Sequence, residues 1–396
     1  MARESKSESR PPGLDGGEVI RALNEIVRRA AASRASDVHL EPKSDRMRIR
    51  FRIDGVMAEQ PPLPIAIAAP LVSRAKVLAK MDIAEKRQPQ DGTFTIAVGS
   101  GKVSVRCSTF PTFDGEKVVL RLLMGGELLP LDHLGMGAGQ AQQIRDMTRR
   151  TGGLMLVTGP TGSGKTSSLY AMLSELDTQR LNIVTLEDPI EVQLPDITQG
   201  QVHPKAGFTF ASGLRAILRQ DPDVILVGEM RDAETASIAL QASLTGHLVL
   251  STMHTNSAIA TITRLIDIGL EPYVVANALI GIVAQRLVRV ACPHCATPYA
   301  LEGSVKEEVG FDLPPNSTLV RAVGCDACHR TGFKGRRGIF EVVDINDPLT
   351  RLIKRKADAH EYKEVLRQMQ VPTLRRVGMR QALKGRTTAS EVLRVT

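Results

Sequence analysis

The sequence predicts an α/β protein built around a parallel sheet. A smaller α+β domain precedes this sheet, and a cysteine-bearing insert and a helical C-terminal segment follow it. Alternating apolar and polar residues in the first 124 residues, as in MRIRFRI, are typical of strands with one face towards solvent. Four short, continuously apolar runs between residues 154 and 251 have helix-like neighbours, which is typical of buried parallel strands. Two CxxC pairs lie beyond residue 290.

Residues 17–124 are predicted to form the α+β domain, after a flexible polar tail at residues 1–16. Apolar residues recur at helical spacing from Gly17 to about Ala32, and Ala66–Met81 has a similar pattern. Asp54-Gly55 is a turn signal between two strands. The predicted strands are Asp37–Leu40, Arg46–Ile53, Thr93–Val98, Lys102–Ser108 and Val118–Leu123.

A glycine-rich segment, residues 125–139, is predicted to link this domain to the parallel-sheet domain at residues 140–286. Residues 287–340 are predicted to form the cysteine insert, and residues 341–396 the helical C-terminal segment. The predicted parallel strands are Leu154–Thr158, Asn182–Leu186, Val224–Val227 and Leu248–Ser251.

Composition limits the possible functions of the chain. With 396 residues, 42% of them hydrophobic, the chain can form two or three packed domains. It has only 13 aromatic residues, 9 Phe and 4 Tyr, which argues against a protein that binds sugars or bases on aromatic platforms. The net charge of +8 tolerates polyanionic partners without choosing among them. Since no apolar stretch reaches the ~18–20 residues of a membrane span and no targeting segment is visible, we expect a soluble, intracellular protein.

The segment GPTGSGKT matches the phosphate-binding loop pattern GxxxxGK[ST] at every fixed position. It follows an apolar run and precedes a helix candidate, which is the strand–loop–helix context that this motif requires. Lys165 is expected to reach the β- and γ-phosphates of a nucleotide, and the Thr166 hydroxyl to ligate Mg²⁺. The alternative is a glycine-rich turn that binds nothing. The predicted phosphate-binding residues are Gly159, Pro160, Thr161, Gly162, Ser163, Gly164, Lys165 and Thr166.

Two acids end neighbouring apolar runs and are candidates for holding the metal or polarising the attacking water. Glu229 follows VILVG, where the usual Walker B pattern ends in Asp, and Glu187 ends the run IVTL. A solvated loop position is the alternative for both. His247 and His254 flank a further apolar run and could contact a phosphate, although a lone histidine is more often structural.

Together these four motifs resemble those of one family, the secretion ATPases of type II secretion and type IV pilus assembly. The motifs are the phosphate loop, the Asp box NIVTLEDPIE, the Walker B segment LRQDPDVILVGEMRD and the His box LTGHLVLSTMHTN. Similarity continues from about Gly17 to Thr396, through SDVHLEP, RFRIDGV and GRRGIFEVV. The resemblance implies a RecA-like P-loop domain, hydrolysis of Mg-ATP and a hexameric ring. It also implies a cytoplasmic location at the inner membrane, with membrane platform proteins as partners.

The resemblance also implies roles for individual residues. Glu229 would orient the attacking water and support Mg²⁺, Glu187 would assist, and His254 and His247 would contact the phosphate region. Arg106 and Arg121 match arginines that the family's N-terminal domain directs towards the γ-phosphate. By themselves, these two arginines look like exposed strand residues. Family members commonly carry a further N-terminal domain that docks onto a membrane partner, whereas this chain begins almost at the shared core.

The four paired cysteines are Cys292, Cys295, Cys325 and Cys328. Four thiolates in two CxxC knuckles suit a closed, structural Zn²⁺ site. A redox dithiol and an iron–sulfur centre are the alternatives. Pilus-retraction ATPases resemble the same core without this insert, so the insert favours secretion or pilus assembly. Cys107 stands outside the pairs and is predicted to be an ordinary strand residue.

Three functions compete at this stage. The first is a motor ATPase that drives assembly of a pilus or pseudopilus. The second is a nucleic-acid translocase, which the basic balance and the cysteine knuckles would allow, although the basic residues are not interleaved with aromatics. The third is a nucleotide-binding scaffold without hydrolysis, which is hard to reconcile with an intact phosphate loop and both acids.

Overall fold

Two separate sheets organise the chain, which divides between Gly126 and Glu127 into two units. The computed structural model describes residues 16–99, 101–123, 128–300 and 318–396. Residues 1–15 of the predicted tail, 125–127 of the predicted linker and 301–317 of the predicted insert lie outside the described residues. Within the described ranges, every helix is too short or too polar to cross a bilayer.

The first unit is an antiparallel six-stranded sheet of order β3-β2-β1-β6-β5-β4 with two helices. Its elements are α1 (Gly16–Ala32), β1 (Ala35–Pro42), β2 (Arg46–Ile53), β3 (Val56–Pro64), α2 (Ala68–Leu78), β4 (Gln90–Val98), β5 (Gly101–Thr112) and β6 (Gly115–Leu123). The five predicted strands and both helices are confirmed. Asp54 and Gly55 both have positive φ, as the predicted turn requires.

Strand alternation divides the first unit's sheet into an apolar and a charged face. Leu40, Phe51 and Leu120 point into a core shared with α1 and α2. Because the side-chain period of a strand is two, the basic residues of MRIRFRI lie on the opposite face. There Arg50 forms a salt bridge with Glu41, with 2.7 Å between its Nη2 and Glu41 Oε1.

The second unit is a seven-stranded sheet of order β15-β12-β7-β11-β10-β8-β9, parallel except for β15, which runs antiparallel to β12. Its strands are β7 (Gly153–Thr158), β8 (Ile183–Glu187), β9 (Thr198–Gln201), β10 (Val224–Val227), β11 (Leu248–Met253), β12 (Leu279–Ala291) and β15 (Phe333–Asp344). Two further strands, β13 (Ala296–Ala300) and β14 (Thr318–Ala322), form an antiparallel pair. The four strands predicted from apolar runs are four adjacent strands of this sheet.

Helices surround the second sheet. They are α3 (Ala138–Thr148), α4 (Lys165–Leu173), α5 (Phe210–Ile217), α6 (Ala233–Leu244), α7 (Ala258–Asp267), α8 (Pro272–Ala278), α9 (Asp347–Lys354), α10 (Ala359–Gln368), α11 (Leu374–Leu383) and α12 (Ala389–Val395). The four helices α9–α12 bear out the prediction of a helical C-terminal segment. Several begin with a side-chain cap, for example Ser257, whose Oγ accepts the Ala260 N–H at the start of α7.

Two predicted boundaries differ from the structure. Residues 287–291 and 333–340 are paired in β12 and β15 of the main sheet, so the predicted insert at 287–340 extends too far at both ends. These strand segments were not predicted because they contain polar and charged residues, which interrupt the apolar pattern. In the predicted linker, Leu131, Leu134 and Met136 are buried and α3 begins at Ala138, so residues 128–139 are part of the packed second unit.

A buried ion cluster fastens the last helix, α12, to β12. The side chain of Glu391 is 1% exposed and accepts bonds from Arg289 Nη2 at 2.8 Å and Arg394 Nη2 at 2.6 Å. Burial alone would raise the pKa of Glu391, but the hydrogen bonds from Arg394 and Arg289 lower it to about 2. Because the folded pKa lies below the ordinary value, this stabilisation is present above about pH 4.3 and is lost as the pH falls towards 2.

We expect Glu391→Ala to destabilise the protein by about 3 kcal/mol at pH 7, because it leaves Arg289, whose side chain is only 18% exposed, without its ion-pair partner. Thermal unfolding followed by circular dichroism measures this. The matched control is Glu364→Ala, which removes an exposed pair with Arg367 and should cost ~0–1 kcal/mol. Equal shifts in melting temperature for the two variants would contradict the stabilising role of the ion cluster around Glu391.

Candidate functional site

The predicted phosphate loop connects the buried strand β7 to helix α4. Gly162 and Gly164 have φ of 77° and 87°, in the left-handed region where a side chain would be strained. Their backbone turns the loop back towards the first turn of α4. A loop of this shape presents N–H groups at a helix N-terminus, which is a favourable place for a phosphate.

Side chains within the loop also suit an anionic ligand. Lys165 is buried, and its Nζ donates to Gly159 O at 2.9 Å and to Pro160 O at 3.1 Å. Burial lowers the pKa of Lys165, which the charge of Glu229 partly offsets. Ser163 Oγ is buried with no hydrogen-bond partner in the described part of the chain. An acceptor-rich phosphate would satisfy both groups, so the residues present fit a nucleotide polyphosphate.

Glu229 lies just beyond the carboxyl end of β10, at the same sheet edge as the phosphate loop. Its segment is fixed to β11, since Met230 N donates to Thr252 O at 3.1 Å. The side chain is 12% exposed, with Oε2 3.4 Å from His254 Nε2 and Oε1 2.5 Å from Arg231 Nη2. The structure thus brings Glu229 and His254 together. Thr166, in the first turn of α4, is half-buried.

Glu187 is more enclosed than the sequence indicates. Its side chain ends β8 and is 3% exposed. Glu187 Oε1 accepts from Thr185 Oγ1 at 2.6 Å and from Gln199 Nε2 at 3.0 Å, and Oε2 accepts from the Tyr170 hydroxyl. Burial, and then the bond to Glu187, raise the pKa of Tyr170. Glu187 therefore fixes the loop after β8 to the helix of the phosphate loop, and its part in hydrolysis stays a prediction.

His247 is not part of this site within one chain. It precedes β11, so the six residues of that strand, roughly 20 Å, separate it from the loop edge. Its Nδ1 lies 2.9 Å from Ala242 O and 3.2 Å from Thr245 Oγ1. Because His247 and His254 flank one strand, they lie at its opposite ends within one chain, and a contact of His247 with the nucleotide stays a prediction.

Arg106 and Arg121 belong to the first unit, where they are direct cross-strand partners on β5 and β6. Arg121 Nε donates to Asp37 Oδ1 at 2.9 Å, and Arg52 Nε lies 3.8 Å from Asp37 Oδ2. Burial would raise the pKa of Asp37, but bonds from Ser36 and Arg121 keep it below its usual value. The reach of Arg106 and Arg121 towards a γ-phosphate stays a prediction.

Two residues beside the loop, Gln285 and Arg286 of β12, were not predicted from the sequence. Both are buried, and Gln285 Oε1 accepts a hydrogen bond from Ser168 Oγ of α4 at 2.8 Å. The signal was a pair of polar residues in the middle of the apolar stretch LIGIVAQRLVRVA. Such a pair in a buried strand indicates a specific contact.

The four paired cysteines converge at one point. Their sulfur atoms all lie within 4.8 Å of one another, with Cys292 and Cys325 at 3.9 Å and Cys325 and Cys328 at 3.8 Å. Tetrahedral Zn–S bonds of ~2.3 Å place sulfurs about 3.8 Å apart, so the donor set fits zinc. Backbone N–H groups of Cys325 and Gly332 outweigh burial and lower the pKa of Cys328 to about 6, whereas burial and the neighbouring thiols raise the pKa of Cys295 to about 11.

Comparison with known sequences relates this site to bacterial secretion. The sequence pattern of the Type II/IV secretion system protein family matches residues 14–394. Type II secretion system protein E of Pseudomonas aeruginosa is 50% identical over 384 residues, which cover 96% of this chain and 76% of that protein. Type II secretion system ATPase E of Vibrio cholerae is 46% identical over 385 residues, with the same coverage of 96% and 76%.

Solved structures agree with the fold. The pilus retraction motor PilT with bound ADP has a TM-score of 0.65 and 28% identity, covering 94% of this chain and 96% of that one. The ATPase DotB of Legionella pneumophila, with a TM-score of 0.70 and 18% identity, covers 98% of this chain and 97% of its own and shows the shared fold alone. The predicted α/β fold with a RecA-like P-loop domain is confirmed. The chain belongs to the Type II/IV secretion system protein family, among the secretion ATPases of the type II system.

Proposed function

We propose that this chain hydrolyses Mg-ATP as a ring-forming motor that drives assembly of a type II secretion pseudopilus or a type IV pilus. The observation that carries the proposal is the placement of Glu229 and His254 at the same sheet edge as a complete phosphate loop. Membership of the secretion ATPases favours this motor over the nucleic-acid translocase.

Each residue of the site has a step that its position supports. The loop N–H groups and Lys165 bind the phosphates, and the Thr166 hydroxyl would hold Mg²⁺, which would supply neutralisation of the charge that develops during phosphoryl transfer. Glu229 orients the attacking water and accepts its proton, because its carboxylate lies at the strand end where that water would be held. His254 holds the Glu229 carboxylate or contacts the γ-phosphate.

Arg106 and Arg121 of the first unit are the cations that act on the γ-phosphate in this proposal. A guanidinium near the γ-phosphate stabilises transition-state charge. A hexamer supplies the ring, and inner-membrane platform proteins are the partners that hold this cytoplasmic motor at the membrane. The tetracysteine site, with Zn²⁺ bound, stabilises the segment between β12 and β15.

The test is Mg²⁺-dependent ATP hydrolysis measured over a range of protein concentrations. We expect specific activity to rise with concentration, because the working unit is an oligomer. Lys165→Ala should weaken ATP binding by about 2–5 kcal/mol, roughly 30-fold or more, since it removes a buried charge from the phosphates. The control is Lys205→Ala, which removes an exposed charge. Wild-type protein that binds ATP without hydrolysing it at any concentration would instead support the scaffold.

A further inference from the structure

Strand β12 brings two buried polar residues to the start of the phosphate loop. It pairs with β7 so that Ala284 lies opposite Thr158, the last residue before the loop. Gln285 and Arg286 therefore follow at the level of the loop itself. They are only 2% and 8% exposed, although the interior of a parallel sheet is otherwise apolar.

The loop packs closely against both residues. A methyl group added at Gly159 would lie 2.5 Å from Gln285 O and 3.2 Å from Arg286 Nη1. One added at Gly164 would lie 2.9 Å from Gln285 Nε2. The guanidinium of Arg286 is thus within a few ångströms of the backbone that would wrap the phosphates.

All hydrogen-bond acceptors of Arg286 are neutral. Nη1 donates to Gln285 O at 2.9 Å, and Nη2 donates to Asn256 O at 2.9 Å and Asn256 Oδ1 at 3.3 Å. Among the described residues, no carboxylate lies within 4.0 Å of this guanidinium; Glu341 acts on it only from farther away. A buried cation is costly unless an opposite charge accompanies it.

Other groups at the loop also have no carboxylate in direct contact among the described residues. Lys165 Nζ is held only by backbone carbonyls, and Ser163 Oγ has no partner within the described ranges. Burial lowers the pKa of Lys165, the charge of Glu229 partly offsets this, and the charge of Arg286 lowers it further, which places the two cations close to each other. Two buried cations beside one loop create a positive potential that an anion would stabilise.

We propose that Arg286 is a further binding residue of the phosphate site, and that the polyphosphate of a nucleoside di- or triphosphate supplies its counter-charge. The proposal rests on the proposed ATPase function and adds to it a cation from a strand outside the four motifs. Its link to Asn256 also joins the phosphate loop to the segment that follows His254.

The test is the affinity of the full chain for two fluorescent probes, mant-ADP and mant-AMP, measured for three variants. Arg286→Gln removes the charge, and we expect it to weaken mant-ADP binding about tenfold, or ~1.4 kcal/mol, and mant-AMP binding by less than about threefold. Arg286→Lys keeps the charge and should bind both probes within about threefold of wild type. Arg180→Gln removes an exposed charge before β8 and serves as the control.

Unchanged mant-ADP affinity in Arg286→Gln would overturn the proposal, as would an equal loss for both probes. If Arg286→Gln does not fold, as judged by circular dichroism, Arg286→Lys decides. Tight mant-ADP binding by folded Arg286→Lys supports a role of charge, and a tenfold loss overturns it. A wild-type protein that binds neither probe would instead overturn the proposed function.

Discussion

Glu229→Gln is expected to slow ATP hydrolysis by about 10²–10⁴-fold while ATP binding stays within a few-fold of wild type. The amide cannot accept a proton from the attacking water at neutral pH. It keeps the size of the carboxylate, so the packing of the segment against β11 should persist. This loss is in the rate of the chemical step, whereas the loss expected for Lys165→Ala is in ATP binding.

The surroundings of Glu229 make the substitution informative. Its carboxylate lies between His254 and Arg231, and at 12% exposure it remains accessible to water. Glu187 has both oxygens engaged by Tyr170, Thr185 and Gln199. Of the two candidate acids, Glu229 is therefore the one with a carboxylate available to a reacting water.

Single-turnover hydrolysis and equilibrium binding of ATP, measured side by side, separate the two effects. The matched control is Glu234→Gln, an exposed acid in the first turn of α6 that pairs with Arg215 and should leave the rate within about twofold of wild type. If Glu229→Gln hydrolyses ATP as fast as the control, Glu229 is not the general base. Glu187 would then be the acid to test next.

The strand–loop–helix core of the second unit could be predicted from local sequence for a simple physical reason. The parallel strands β7, β8, β10 and β11 are buried on both faces, so their sequences are continuously apolar and stand out. The phosphate loop is recognisable because its glycines meet a backbone requirement. In the first unit, alternating apolar and polar residues predicted every strand except β3. That strand contains Pro61 and Pro62, which suit only an edge strand.

Residues that act through pairing across the sheet were not predictable in this way. Gln285 and Arg286 reach the loop because β12 lies beside β7, which is information about strand order rather than about local pattern. The same lack of strand order explains the boundaries of the cysteine insert, since β12 and β15 pair with each other across more than forty residues of sequence. His247 shows the converse, because it is near His254 in sequence and yet lies at the opposite end of β11 within one chain.

The spacing of the cysteines in the sequence was sufficient to predict the four-sulfur site. Two CxxC knuckles each place two sulfurs on one tight turn, so only one long-range contact is needed to complete a four-sulfur site. β12 and β15 provide that contact, because they pair with each other. β12 ends directly before Cys292, and β15 begins shortly after Cys328. A redox dithiol needs only two facing sulfurs, whereas here all four converge within 4.8 Å of one another, which favours a four-thiolate metal site over the redox dithiol.

Removing the metal-binding set is expected to destabilise the segment between β12 and β15 more than any other single change outside the core. Zinc binding by small cysteine domains is worth about 10–16 kcal/mol in apparent free energy, and this binding energy is folding energy. We therefore expect one zinc per chain, none in Cys325→Ser, and a lower melting temperature with easier proteolysis between residues 292 and 332.

Elemental analysis of the purified full chain, together with melting curves with and without a chelator, measures this. Cys107→Ala is the control, because that thiol is buried in the first unit, where burial raises its pKa to about 12, and should not affect zinc content. Iron with visible absorption would point to an iron–sulfur centre. Full zinc content in Cys325→Ser that persists in the presence of a chelator would contradict the site, because three thiolates hold zinc less tightly than the closed set of four.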